Sequence, residues 1–159
     1  MITTRIVKTV EARFWAKVDK TGECWLWTAG KTKDGYGRFK VDGGMRYAHR
    51  VAYSWASGPI PDGFQLDHIC HVPACVDPDH LRLATNAQNG QNRQCARRNS
   101  TSGIRGVYWA KDHGKWRAQA RLNGKQHYLG YFATLAEAEA VVTEWRQIHM
   151  PYSIMDQGA

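Results

Sequence analysis

Residue types that bind metal ions are concentrated in a run in the middle of this chain and limit the folds that it can adopt. The run spells His-x-Cys-x4-Cys-x4-His-x8-Asn and comprises His68, Cys70, Cys75, His80 and Asn89, with Asp67 directly before it. Two thiols and an imidazole so close together are typical ligands of zinc, which prefers sulfur and nitrogen in a tetrahedral arrangement. His68 and Asn89 are not counted among the zinc ligands, so they could take part in a catalytic reaction. The run therefore predicts an active site built on a structural metal.

Length and charge limit the fold and the partner. A chain of 159 residues holds one medium domain or two small ones, and small domains often need a metal or another staple for stability. The formal charge of +8 predicts a polyanionic partner, with nucleic acid as the first candidate. The sequence has no apolar segment typical of a signal peptide or a membrane span. We therefore expect an intracellular protein with reduced thiols, and a two-bridge disulfide set among its four cysteines is the alternative.

Tetrahedral zinc needs a fourth ligand beyond Cys70, Cys75 and His80. Cys24 is our choice, because the motif Cys24-Trp25-Leu26-Trp27 predicts a strand that would hold a ligand rigidly. His71 is sterically awkward beside Cys70, and Cys95 lies in a polar stretch. The alternative interpretation is that these are ordinary buried thiols and a surface histidine.

Composition divides the chain at a polar, basic stretch over residues 96–102, which is typical of a linker. The predicted organisation is a domain over 1–95, the linker, a second domain over 103–150 and a tail over 151–159. In the first domain we predict a short helix over 11–18, a strand over 24–28, a hairpin of 36–41 with 45–47, a helix over 48–56 and a strand over 64–69. Thr85 or Asn86 would cap a further helix carrying Asn89. This order would bring His68 and Asn89 together across a groove.

The second domain has a different pattern. Basic or polar and apolar residues alternate over 115–122, Asn123-Gly124 is a strong hairpin turn, and residues 125–132 return as the partner strand. Thr134 and Glu137 form a capping box before an amphipathic helix. We predict a small sheet packed on one helix, and hence an α+β protein. The free face of the sheet would carry Arg105, Lys115, Arg117, Gln119 and Arg121, with Trp109 and Tyr128 nearby. Such a face fits the major groove of duplex DNA, and the alternative is a solvated surface.

Phosphodiester hydrolysis needs a base for water, a cation at the leaving oxygen and a donor that holds the phosphate. His68 can be neutral at physiological pH and accept a proton. Asn89 offers a carbonyl oxygen for Mg²⁺, with Asp67 as a second ligand. Taken alone, His68 would be an ordinary packed or surface histidine; its neighbours favour the catalytic role.

Residues 14–93 resemble the His-Me finger (HNH) endonucleases of phages and mobile introns. The shared motifs are Phe14-Trp15-x-Lys17-Val18, Cys24-Trp25-Leu26-Trp27-Thr28, Gly35-Tyr36-Gly37-Arg38, Ala48-His49-Arg50 and Leu66-Asp67-His68. The spacing from His68 to Asn89 is similar to that of the His-Cys box homing endonucleases. The resemblance implies a zinc-bound ββα-metal nuclease domain with His68 as general base, Asn89 as Mg²⁺ ligand, and zinc on Cys24, Cys70, Cys75 and His80. It also implies a phosphate-contacting arginine at Arg46, with Arg38 as the nearest competitor.

The chain departs from these families in three places. His80-Leu81 stands where many HNH enzymes have Asn-Leu, so a zinc ligand replaces an asparagine that orients the base. Asp67 matches the HNH branch, where the aspartate also binds metal, whereas the His-Cys box branch lacks it. The second zinc site of the His-Cys box family is missing, since only Cys95 remains.

Residues 103–149 resemble the ethylene-response-factor type DNA-binding domain. The resemblance lies in Gly103-Ile104-Arg105-Gly106-Val107-Tyr108, Gly114-Lys115-Trp116-Arg117-Ala118 and Tyr128-Leu129-Gly130-x-Phe132. In that family a three-stranded sheet enters the major groove. The resemblance implies DNA contacts at Arg105, Arg117, Gln119, Arg121 and Tyr128.

The sequence thus predicts a homing-endonuclease-like, Mg²⁺-dependent DNA endonuclease with structural zinc. It would cut double-stranded DNA to 5′-phosphate and 3′-hydroxyl ends inside the host cell of a phage or mobile element. No protein partner is evident, and a homodimer stays open. The alternatives are a non-catalytic, zinc-containing DNA-binding regulator and a structural zinc protein that binds RNA.

Overall fold

The computed structural model of the chain describes residues 9–93, 96 and 99–154. It contains two compact units, Met1–Leu83 and Ala84–Ala159. The division follows Leu83, whereas the sequence predicted a linker over 96–102, of which residues 97 and 98 lie outside the described part. The predicted helix around Asn89 accordingly belongs to the second unit. The predicted domain ranges 1–95, 103–150 and 151–159 stay a prediction.

The first unit combines short strands with two helices. Its elements are α1 (Val10–Trp15), β1 (Val18–Asp19), β2 (Leu26–Trp27), β3 (Arg38–Val41), β4 (Gly44–Tyr47), α2 (Ala48–Ser57) and β5 (Gln65–His68). A 3₁₀ turn over Pro78–His80 leads into β6 (Leu81–Ala84), which ends at the unit boundary. Strands pair as β1 with β2, β3 with β4 and β5 with β6. The predicted hairpin, the helix over 48–56 and the strand that carries His68 are confirmed, with bounds shifted by one or two residues.

Aromatic packing holds the first unit together. The Phe14 ring lies 5.0 Å from the rings of both Trp27 and Phe39, and all three side chains are fully buried. A Cβ at Gly37 would lie 2.6 Å from Cγ of Trp27 and 3.0 Å from Cβ of Ala48. Only glycine therefore lets the chain that enters β3 lie against this core.

The second unit is a sheet packed on one helix, as the sequence predicts. Its elements are α3 (Asn86–Gln91), β7 (Val107–Ala110), β8 (Lys115–Leu122), β9 (Lys125–Phe132) and α4 (Leu135–His149). The three strands are antiparallel in the order β7-β8-β9. The capping box of Thr134 and Glu137 starts α4, whose residues Ala138 and Val142 pack against the sheet. The chain is therefore a mixed α+β protein.

A bulge interrupts the pairing of β8 with β9. Ala118 pairs with Gly130, but Gln119 pairs with Tyr128, so Leu129 is an extra residue in β9. Two residues three positions apart on a regular strand point to opposite faces. The bulge cancels this alternation and places Tyr128 and Tyr131 on one face of the sheet.

Candidate active site and nucleic-acid interface

The four predicted zinc ligands come together in the first unit because two chain segments pair. Trp27 donates its backbone N–H to the carbonyl of Ala74 at 2.9 Å, and Val76 donates to Trp25 at 2.8 Å. An isolated bridge also joins Leu26 to Cys75. Cys24, at the start of this aromatic strand segment, is thereby held against the loop of Cys75. The upstream ligand chosen from the sequence lies in the cluster.

The geometry of the cluster fits a tetrahedral metal ion. The ligand atoms of Cys24, Cys70, Cys75 and His80 all lie within 4.8 Å of one another. Nδ1 of His80 is 3.5 Å from Sγ of Cys24 and 3.6 Å from Sγ of Cys75. Bond lengths of about 2.3 Å to sulfur and 2.1 Å to nitrogen at a tetrahedral angle require a separation of about 3.6 Å. The four residues could therefore hold a metal ion, with His80 binding through Nδ1.

Burial disfavours the ionised, thiolate form of these thiols. It raises the pKa of Cys75 to about 12 and also raises the pKa of Cys24. Only a thiolate binds zinc strongly, so metal binding there would displace protons from the thiols. Three thiols and an imidazole are a donor set typical of zinc; Cys75 is buried and the other three residues are partly exposed.

His68 lies at the end of β5 and is 7% exposed. Its Nε2 lies 3.0 Å from the carbonyl oxygen of Cys75. A carbonyl oxygen only accepts hydrogen bonds, so Nε2 carries the proton and Nδ1 holds the lone pair of the neutral ring. Burial is the largest influence on the pKa of His68 and lowers it, against smaller raising effects of this hydrogen bond and of Asp67. The imidazole is therefore neutral at pH 7.

A ring cluster surrounds His68. The His49 ring lies edge-on to it, with centroids 4.9 Å apart, and Tyr36 lies 5.9 Å away. Tyr47 in turn is 5.6 Å from His49. His49 is 7% exposed, its Nδ1 has no hydrogen-bond partner among the residues that the structure describes, and burial lowers its pKa to about 3. The sequence supplied His49 only as part of a motif; the structure places it against the predicted base.

Asp67 forms a buried ion pair with Arg82 of the neighbouring strand. Nη2 and Nε of Arg82 lie 2.8 and 2.9 Å from the same carboxylate oxygen, Oδ2, and the Asp67 side chain is 7% exposed. For Asp67 to bind Mg²⁺ as well, its carboxylate would have to bridge the arginine and the ion. The ion pair with Arg82 was not predictable from the sequence, because the pairing of β5 with β6 was not predicted.

The two arginines considered for the phosphate lie on opposite faces of the β3–β4 hairpin. Arg46 is directly opposite Phe39, which faces the aromatic core. Arg38 is opposite Tyr47, and its guanidinium carbon lies 5.4 Å from the Tyr47 ring centroid. Nε of Arg38 is buried and has no hydrogen-bond partner within residues 9–93, 96 and 99–154. The structure therefore brings Arg38, rather than Arg46, toward the rings beside His68.

Asn89 lies on α3 in the second unit and is half-buried. The helix starts at Thr85, whose hydroxyl accepts from the N–H of Gln88, and the Gln88 side chain accepts from the N–H of Thr85. This capping box confirms Thr85 over Asn86 as the helix start. The meeting of Asn89 with His68 stays a prediction.

The free face of the three-stranded sheet is basic and aromatic. Lys115, Arg117, Gln119 and Arg121 alternate along β8 with residues that face α4. The guanidinium carbon of Arg117 lies 5.5, 5.0 and 6.0 Å from the rings of Tyr108, Tyr128 and Tyr131. Tyr128 is 52% exposed. Sequence reasoning missed Tyr131, although Gly130 inside a strand is a sign of a bulge.

Arg105 differs from the other predicted DNA contacts. Its Nη1 donates to the carbonyls of Gln91 and Arg93, and its Nη2 donates to Oγ of Ser153. These hydrogen bonds hold its guanidinium within the second unit.

A known protein family matches the middle of the chain. Residues 46–91 match the family model described as HNH endonuclease. The match includes His68, the candidate ligands Cys70, Cys75 and His80, and Asn89. It confirms the resemblance of this segment to HNH endonucleases, whereas the resemblance of residues 103–149 to the ethylene-response-factor type domain stays a prediction.

Several curated relatives are phage proteins. Protein 3.8 of Escherichia phage T7 is 39% identical over 79 residues, covering 50% of this chain and 64% of that protein. Protein 7.7 of the same phage is 39% identical over 70 residues, covering 44% of this chain and 54% of that protein. Protein 2.8 is 33% identical over 75 residues, with 46% and 50% coverage. The chain thus spans one half to just under two thirds of these relatives.

No solved structure matches the chain significantly. Within residues 9–93, 96 and 99–154, every helix is too short or too polar to cross a bilayer.

Proposed function

We propose that the chain is a metal-dependent DNA endonuclease. The HNH match over residues 46–91 supports the reaction class, and the hydrogen bond of His68 to the Cys75 carbonyl carries the assignment of the base. Water would attack the phosphorus, the P–O3′ bond would break, and 5′-phosphate and 3′-hydroxyl ends would result.

His68 is the general base in this proposal. The tautomer set by the Cys75 carbonyl places the lone pair on Nδ1, which would accept the proton of the attacking water. Because burial lowers the pKa of His68, the neutral form of the ring, which can accept a proton, is favoured at neutral pH. The Cys24, Cys70, Cys75 and His80 cluster would bind structural zinc and hold this carbonyl in place.

An arginine would hold the scissile phosphate. Arg46 is the residue implied by the family resemblance, but its position opposite Phe39 directs it to the other face of the hairpin. Arg38 has a buried Nε without a hydrogen-bond partner in the described part of the chain, and it lies next to the rings around His68. The geometry favours Arg38 for this role.

Asn89, with Asp67 as a second ligand, would hold the catalytic Mg²⁺. Both offer oxygen donors, which fit this hard cation, and Mg²⁺ commonly uses only one or two protein ligands. When bound, it would stabilise the negative charge that develops on the 3′ leaving oxygen. The Asp67–Arg82 ion pair makes Asn89 the stronger of the two candidates.

Double-stranded DNA is the proposed substrate and partner. The charge of +8 favours a polyanion, and the sheet face of Lys115, Arg117, Gln119, Arg121 and Tyr128 would contact it. The phage origin of the relatives agrees with action inside a phage-infected cell.

A plasmid assay tests the proposal. Zinc-loaded protein should convert supercoiled plasmid to nicked or linear forms with Mg²⁺ and leave it intact when Mg²⁺ is omitted or EDTA is added. His68→Ala should lower the cleavage rate by about 10²–10⁴-fold, while DNA affinity stays nearly unchanged. His149→Ala, at an exposed histidine at the end of α4, is the matched control and should cleave normally.

Cleavage by His68→Ala at the wild-type rate would overturn the assignment of the base. Tight DNA binding by the wild type without any cleavage in Mg²⁺ would select the non-catalytic regulator instead.

A further inference from the structure

The helix that carries Asn89 has little to hold it together on its own. α3 has the six residues Asn-Ala-Gln-Asn-Gly-Gln, and none of them is buried. Asparagine and glycine are poor helix formers, and isolated helices shorter than about 12 residues are marginal in water. The capping box at Thr85 secures only the N-terminal end. The C-terminal end needs partners for its last carbonyl groups.

Arg105 supplies such partners. Its Nη1 lies 2.7 Å from the carbonyl oxygen of Gln91, the last residue of α3, and 3.1 Å from that of Arg93. The charged guanidinium at this end also complements the negative pole of the helix dipole. The backbone N–H of Tyr152 adds a bond of 3.3 Å to the Gln91 side chain.

Arg105 is itself fixed by buried groups of the second unit. Its Nη2 donates to Oγ of Ser153 at 2.6 Å, and Ser153 is 1% exposed. Its own carbonyl accepts from Nη1 of Arg146 at 2.6 Å, and Arg146 on α4 is 6% exposed. The next residue, Gly106, has φ +89° and lies so close to the Gln119 carbonyl that a side chain would collide with it. The backbone of Arg105 is thus bonded to α4, and the next residue lies closely against β8.

We propose that Arg105 is a positioning residue that holds the α3 helix, and with it Asn89, in place within the second unit. The inference rests on the proposed function, because Asn89 is the proposed Mg²⁺ ligand. The guanidinium links the helix that carries the proposed metal ligand to buried Ser153 of the same unit. Its role lies in orienting Asn89, and DNA contact falls to Arg117, Gln119 and Arg121.

Hydrogen exchange of the DNA-free protein is the first test. In Arg105→Lys the charge stays, but one ammonium group cannot span three acceptors arranged for a guanidinium. Amides over residues 88–92 should exchange at least about fivefold faster than in the wild type, while the amides of β8 stay protected. Arg121→Lys, an exposed arginine of the same unit, is the matched control and should leave the α3 amides unchanged.

Ser153→Ala is the second variant and decides the matter if Arg105→Lys does not fold. It removes one acceptor of the Arg105 guanidinium without changing any charge. Faster exchange of α3 in Ser153→Ala supports the positioning role. Wild-type exchange of α3 in whichever of the two variants folds overturns it.

Cleavage kinetics then test the consequence for Asn89. Ser153→Ala should raise the Mg²⁺ concentration for half-maximal cleavage by about threefold to tenfold and leave the DNA dissociation constant within about twofold. A fall in DNA affinity at an unchanged Mg²⁺ requirement would overturn the positioning role. If the wild type does not cleave at all, the proposed nuclease function fails, and the exchange result still decides whether Arg105 holds α3.

Discussion

Nε2 of His68 donates a hydrogen bond to the carbonyl oxygen of Cys75, 3.0 Å away, in the first unit. Cys75 also contributes its Sγ to the metal-binding cluster, where the thiol is fully buried. One residue therefore joins the candidate metal site to the candidate base. Any change that displaces the Cys75 loop would alter both the tautomer and the direction of the imidazole.

Zinc removal should therefore abolish cleavage and destabilise the first unit. Wild-type protein should contain about one zinc ion per chain, whereas Cys75→Ala should lose it, because three ligands leave the tetrahedral site open. Structural zinc can supply on the order of 10–16 kcal/mol of binding free energy, so we expect Cys75→Ala to melt at a much lower temperature or not to fold. Elemental analysis and calorimetry measure the two effects.

Cys95→Ala serves as the control for the zinc prediction, because sequence reasoning leaves Cys95 out of the ligand set and the residue lies outside the described part of the chain. It should keep both the zinc content and the melting temperature. Cys75→Ala that melts normally without zinc would show that the cluster is not a structural metal site.

The Asp67–Arg82 ion pair should be strongly coupled energetically. Arg82→Met takes the arginine away from a buried carboxylate, which should cost about 3–5 kcal/mol of the free energy of unfolding. Asp67→Asn together with Arg82→Met should cost less than the sum of the single changes, with a coupling of about 1–3 kcal/mol. Urea unfolding of the four proteins measures this cycle, and additive losses would contradict it.

Much of the fold could be predicted from local patterns. The alternation over 115–122, the Asn123-Gly124 turn and the capping box at Thr134 each depend on neighbours in sequence, and all three are present. The place of Cys24 in the cluster was also predictable, since an aromatic strand motif is a rigid place for a thiol. Backbone hydrogen bonds of Trp25 and Trp27 then hold this segment against the Cys75 loop.

What the sequence could not predict depends on contacts between distant segments. Arg82, which pairs with Asp67, is fifteen residues away on β6. The residue pattern of β6 did not predict a strand. The side of the hairpin on which Arg46 lies depends on the register of β3 with β4, and one residue of register changes the face. The bulge at Leu129 likewise moves Tyr131 to the face of Tyr128, which simple alternation assigns to the opposite side.

His49 should make the first unit less stable at acid pH. Burial lowers its folded-state pKa to about 3, aided by the charges of His68 and Arg50, whereas its ordinary value is 6.5. Between these values the unfolded chain binds a proton that the folded chain does not, so the free energy of unfolding falls as the pH falls below about 6.5. At pH 5 this single group should account for about 2 kcal/mol of lost stability.

His49→Gln removes this proton and should flatten the pH profile. The variant should be less stable than the wild type at pH 7.5, because it loses the packing against His68 and Tyr47, and the gap should narrow by about 2 kcal/mol at pH 5. Denaturant unfolding at several pH values measures the free energy of unfolding of both proteins. Parallel pH profiles of His49→Gln and the wild type would contradict the assignment of the pH effect to His49.

The free face of the sheet should carry the salt-dependent part of DNA binding. Arg121→Met removes a charge from the face of Arg117 and Gln119, and should weaken binding and reduce the slope of log affinity against log salt by about one unit if it contacts phosphate. Lys125→Met is the matched control. Lys125 pairs with Leu122, which is two residues beyond buried Ala120 on the same strand. Lys125 therefore lies on the side of the sheet that packs against α4. Its loss should leave the slope nearly unchanged, because distance and the sheet itself separate it from the bound duplex. Equal losses in both variants would mean that the net charge of the unit attracts DNA without a defined binding face.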